Sequence, residues 1–124
     1  MDIANIVKYD STFRYELTHV VTGEGLGVFF DLRSSSSPEV KAVTRKHLDH
    51  FQAQYRRQKS VSTETLEKQA LEKLVASVAG WDWGDNKFDG EVPEFTPANV
   101  RKVLEVDWIF AQIDRQVNDA ENFT

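Results

Sequence analysis

Two runs of alternating apolar and polar residues near the start of the chain constrain its fold more than any other feature. Phe13, Tyr15 and Leu17 alternate with Arg14, Glu16 and Thr18, and Leu26, Val28, Phe30 and Leu32 form a second set with the same two-residue period. That period places every apolar side chain of a run on one face of a strand. Thr22-Gly-Glu-Gly25 lies between the runs, and its glycines suit the positive φ angles of a tight turn. The expectation is a β-hairpin over about 13–21 and 26–33. A lone hairpin is marginal in water, so this one must pack on helices or on a partner.

The rest of the chain reads as helical. Ser34-Ser-Ser-Ser37 ends in a capping serine, and Pro38 suits a first helical position. Val40, Val43, His47, Phe51 and Tyr55 then recur at spacings of three and four, which predicts an amphipathic helix to about residue 58. Ser62 or Thr63 caps a second helix with Leu66, Ala70, Leu74, Val75 and Val78 on its apolar stripe, and Gly80 stands where a left-handed C-terminal residue is expected. Thr96-Pro97 repeats the cap-then-proline signal ahead of Val100, Val103 and Leu104, and Asp107 is the expected cap of a last helix carrying Trp108, Ile109, Ile113 and Val117. These elements predict a single α+β domain, mostly helical, in which an N-terminal hairpin precedes three to four helices. Residues 1–10 are expected to form a loose arm and 118–124 a frayed tail.

Composition narrows the function classes. The 124 residues include no cysteine, which excludes disulfides and thiolate metal sites. No apolar run is long enough for a membrane helix, and MDIANIVKYD has neither the basic start nor the apolar core of a secretory signal. The net charge of −5 is unevenly distributed: 1–37 carries three basic and five acidic side chains, 38–59 six and two, and 60–124 six and thirteen. A solvated helix face accounts for such a run. The sharper reading is a basic patch for an acidic partner, including another copy of the chain.

GWDWGDNKFDG, residues 80–90, invites comparison with a calcium loop. With Gly90 at the sixth position, Lys87 occupies the third and Thr96 the twelfth, where oxygen ligands are required. His47 and His50 lack the further ligands that zinc needs. The serines carry no nucleophile-elbow pattern, and the glycines of the hairpin turn do not precede a helix as a phosphate loop requires. No catalytic residue, cofactor or metal is therefore expected. Lys41, Arg45, Lys46, Arg56, Arg57 and Lys59 share one predicted helix and could meet phosphates, but the acidic total and the lack of a nucleic-acid signature weigh against it. Among the late aromatics, Trp81 and Trp108 are expected in the core, while Trp83, Phe88 and Phe95 are candidates for contact with a partner.

Taken together, Leu26-Gly-Val-Phe-Phe-Asp-Leu-Arg-Ser34, Pro38-Glu-Val-Lys-Ala42 and Arg45, then Gly80-Trp81, Phe88-x-Gly90, Phe95-Thr96, Asn99, Leu104, Trp108, Gln112-Ile113 and Asn122-Phe123, resemble the tail assembly chaperones of long-tailed bacteriophages. The resemblance spans about 13–123. It implies a non-enzymatic protein of the host cytoplasm that binds and solubilises the tape measure protein, helps the tail tube assemble, self-associates as a homo-oligomer and is absent from the finished tail. It also implies contact with the tail tube protein through a longer frameshifted form. The residues themselves suggest self-association through Lys41, Arg45, Arg56 and Arg57 against the acidic C-terminal half, and client contact through Trp83, Phe88 and Phe95. The rival expectation is a small adaptor that binds another protein or nucleic acid through the basic helix 38–59.

Overall fold

A computed structural model of the chain describes residues 2–56 and 61–124. The alternating runs form strands β1 (Thr12–Thr18) and β2 (Gly25–Arg33), paired antiparallel with Tyr15 opposite Phe30. The first strand, expected to run to about 21, ends at Thr18, so the connection, residues 19–24, is longer than the expected tight turn over 22–25. His19 N–H donates to the Glu24 carbonyl, and the His19 ring nitrogen accepts from Val21 N–H. Gly27 sits at φ +74, a left-handed conformation that costs other residues free energy.

A third strand joins β2 on its other edge. Helix α2 (Thr63–Ser77) stops at Ser77, and β3 (Val78–Asp82) follows without a loop, giving the sheet order β1-β2-β3. The expectation of a helix ended by a left-handed Gly80 is thus overturned: Gly80 is paired with Asp31 inside a strand, and Trp81 with Phe30. The free edge of β2 supplies hydrogen-bond partners for Val78-Ala-Gly-Trp81, and tertiary pairing outweighs a helical apolar spacing that happens to extend through Val78.

Val28, Phe30 and Leu32 point to one face of the sheet and are at most 4% exposed. The helices pack there: α2, α3 (Pro97–Leu104) and α4 (Asp107–Val117) bury Leu74, Val100, Val103, Leu104, Ile109, Ile113 and Val117 in one core with the strands. The opposite face carries the Arg14–Asp31 ion pair at 3.0 Å, with the Arg14 guanidinium 5.6 Å from the Phe29 ring centre. The result is a two-layer α+β domain that is about half helical, with four α-helices and a three-stranded antiparallel sheet among the described residues.

Helix starts follow the sequence closely. Ser37 Oγ accepts from Val40 N–H, Ser62 Oγ from Thr65 N–H and Thr96 Oγ1 from Asn99 N–H, so three of the four predicted caps form. At α4 the cap position falls on Val106 with no side-chain bond, and Asp107 is the first helical residue instead. Trp108, expected in the core, is 36% exposed, because Ile109, Ile113 and Val117 take the buried stripe of that helix.

Helix α1 (Pro38–Arg56) stands apart. It spans about 28 Å at 1.5 Å per residue, yet Val40 is its one buried residue. Beyond this anchor its main packing partner is α2. The predicted extension to residue 58 lies outside the described residues.

Both ends of the chain are tied down. Phe123, expected in a frayed tail, is 1% exposed and meets Phe13 edge-to-face at 6.3 Å. The arm expected to be loose opens with a 3-10 turn over Ile3–Asn5, and Lys8 N–H donates to the Phe123 carbonyl at 2.7 Å.

Candidate interaction surfaces

The loop after β3 is built around aromatic contacts. Trp81 is their hub, meeting Phe30, Trp83 and Phe95 edge-to-face with ring centres 5.6–5.7 Å apart, and Trp83 meets Phe88 at 6.0 Å. Each such pair adds about 0.5–1.5 kcal/mol beyond area burial. Trp83 is 6% exposed, so it belongs to the core and not to a free partner surface. Its indole N–H is the one buried side-chain polar atom without a hydrogen-bond partner among the described residues. Phe88 is half-buried beneath the loop. Of the three aromatics expected to meet a partner, Phe95 alone is exposed, at 47%, beside the exposed Val92.

The loop backbone is fixed by local bonds. Asp82 Oδ1 accepts from Gly84 N–H, and the Asn86 N–H and side-chain amide both donate to the Trp83 carbonyl. Phe88 and Glu91 then form an isolated β-bridge around Asp89-Gly90, with φ of 51 and 88. Positive φ at both central residues is what a type I′ turn requires, and Asp-Gly is a strong sequence signal for it. The comparison with a calcium loop, which fails at Lys87 and Thr96, does not detect that signal. The turn leaves Asp82, Asp85, Asp89, Glu91 and Glu94 exposed.

A second surface lies along the α1–α2 hairpin. Thr44, Leu48 and Phe51 of α1 face Gln69, Ala70 and Lys73 of α2 across an open groove of about 210 Å³. Leu48 is 54% exposed, Tyr55 85% and Leu66 48%. Leu48 and Tyr55 are seven residues apart and so share one side of α1. At the edge of the groove His47 Nε2 lies 3.0 Å from Glu72 Oε2. That hydrogen bond holds the Glu72 carboxyl below the usual carboxylate range, against the effect of its partial burial. His47 is thereby a link between two helices, while His19 organises a turn and His50 meets Gln54. Among the described residues no three metal-ligating side chains converge.

A third surface is basic. The N-terminal arm and the start of α1 flank a groove of about 550 Å³ whose lining includes Lys8, Tyr9, Ser36, Lys41 and Arg45, with Asp10 the one acidic group among the described residues. Lys41 and Arg45, expected to act in self-association, are joined there by Lys8, which no sequence pattern places beside them. The signal for Lys8 would have been Phe123, whose burial pulls the arm across. Arg56 lies exposed at the far end of α1, and Arg57 is outside the described residues.

No protein-family model matches the chain, and no curated protein or solved structure matches it significantly. Among the described residues no helix is long and apolar enough to cross a membrane.

Proposed function

We propose that this protein is a tail assembly chaperone of a long-tailed bacteriophage, which binds the tape measure protein in the host cytoplasm and keeps it soluble until the tail tube forms around it. One observation carries the reading beyond the sequence resemblance. Leu48, Phe51 and Ala70 line the groove between α1 and α2, and Tyr55 and Leu66 are further apolar side chains of the same two helices, with three of the four large side chains about half exposed or more. An exposed apolar row on a helix pair suits an amphipathic helix laid into it, which is the form of a long helical client. The hairpin, and not the aromatic loop, is the principal client surface in this proposal. Phe95 forms a lesser contact, and Trp83 acts only by supporting the loop.

The test is co-expression with the tape measure protein of the same phage, followed by pull-down and measurement of soluble client. Leu48→Glu with Tyr55→Glu changes only exposed side chains, so the chaperone is expected to fold normally, and soluble client is expected to fall at least several-fold. A folded double variant that keeps the client fully soluble would remove the hairpin from the proposal. A wild-type chain that never captures the client would remove the function itself.

A further inference from the structure

We infer that copies of this chain join head to tail, the acidic loop 82–94 of one copy entering the basic groove of the next. The inference stands apart from the client reading, since it concerns the chain alone.

The two surfaces sit at opposite ends of β2. The groove follows Arg33: Ser36 and Pro38 begin its wall, and Lys41 and Arg45 stand one and two turns further along α1. The loop adjoins the other end of the strand, where Gly84 and the Asn86 amide lie beside Gly27. A nine-residue strand separates the ends by about 27 Å at 3.3 Å per residue. Charge is divided between them. The groove holds three cations and one carboxylate, and the loop holds five carboxylates and Lys87. None of the groove cations, and none of the loop carboxylates, takes part in an ion pair among the described residues.

Both surfaces are pre-shaped, which lowers the ordering cost of association. The Lys8–Phe123 backbone bond fixes the arm that closes the groove, and the Asp89-Gly90 turn and Asn86 bonds fix the loop. The loop tip also carries apolar Val92 beside its carboxylates, which matches Tyr9 and Pro38 among the groove cations. A contact between different patches is heterologous, so it repeats into a ring or an open fibre.

Sedimentation velocity of the purified chain tests this. Assemblies larger than two copies are expected at low salt and are expected to shrink at high salt, because exposed charges are screened. Lys41→Glu with Arg45→Glu is expected to be monomeric, and so is Asp85→Lys with Glu91→Lys and Glu94→Lys, each with an unchanged circular dichroism spectrum. Mixing the two variants restores opposite charges at every contact and is expected to restore assembly. A wild-type monomer at every salt concentration would overturn the inference, as would a salt-insensitive closed dimer. Assembly that survives both reversals, or fails to return on mixing, would do so equally.

Discussion

Gln112 does more than any other single polar side chain to join the two layers. Its side-chain oxygen accepts from the Tyr15 hydroxyl at 3.0 Å and from Thr18 N–H at 3.1 Å, and its amide donates to the Thr18 carbonyl at 2.9 Å. One helix residue thereby satisfies both backbone groups at the end of the edge strand β1, where the register with β2 shifts. Gln112→Ala strands those groups in a half-buried site. It is expected to lower unfolding free energy by about 1–3 kcal/mol, read from urea unfolding. Gln112→Glu keeps the acceptor but loses the amide donor, and is expected to fall between the two. The pattern of apolar residues in α4 was legible in the sequence, because Ile109, Ile113 and Val117 recur every four residues. The role of Gln112 was not, since it depends on a strand nearly a hundred positions earlier. The same limit applies to Trp83: composition marked it as an aromatic near a turn, and only the packing against Trp81 and Phe88 puts it inside.

Among the elements, α1 is the one whose attachment is weakest and most dependent on conditions. Val40 anchors its first turn, and the His47–Glu72 hydrogen bond links it to α2. The folded Glu72 carboxyl has a lowered pKa, with Lys68 and Arg101 adding smaller favourable charge effects to that of His47. A carboxylate with a depressed folded pKa stabilises the fold above its unfolded value of about 4.3, and this stabilisation is lost as pH falls through the lower folded value. Solvent screening keeps the effect small, under about 1 kcal/mol. Thermal melts of wild type and Glu72→Gln are therefore expected to differ modestly at neutral pH and to converge in acid. A difference that persists undiminished in acid would rule out the charge account. The sequence showed the helix and its His47 stripe clearly, but not that the stripe would stay half open. Helical periodicity reports which side chains share a face, and only the neighbouring elements decide how much of that face is covered. β3 failed in the opposite way: its helix-like spacing was real, yet the vacant edge of β2 decided its structure.

For the molecule as a whole, the two chain ends form part of the structure. Phe123 fills a site against Phe13, and the segment after α4 carries the Asn122 side-chain bonds to Gln116. Phe123→Ala is expected to cost about 3 kcal/mol, as for other buried phenylalanines. It is also expected to free the arm, seen as faster amide exchange at Lys8. A loss at Phe123 that leaves Lys8 protected would separate the two. The bond between Lys8 and Phe123 has a consequence for connectivity. Residues 8 and 123 are thereby neighbours in space, and the segment between them runs as an almost closed circuit bridged by that hydrogen bond. A circularly permuted chain, joined through the arm and opened in the exposed 19–24 turn, would preserve every packed layer and move only the break.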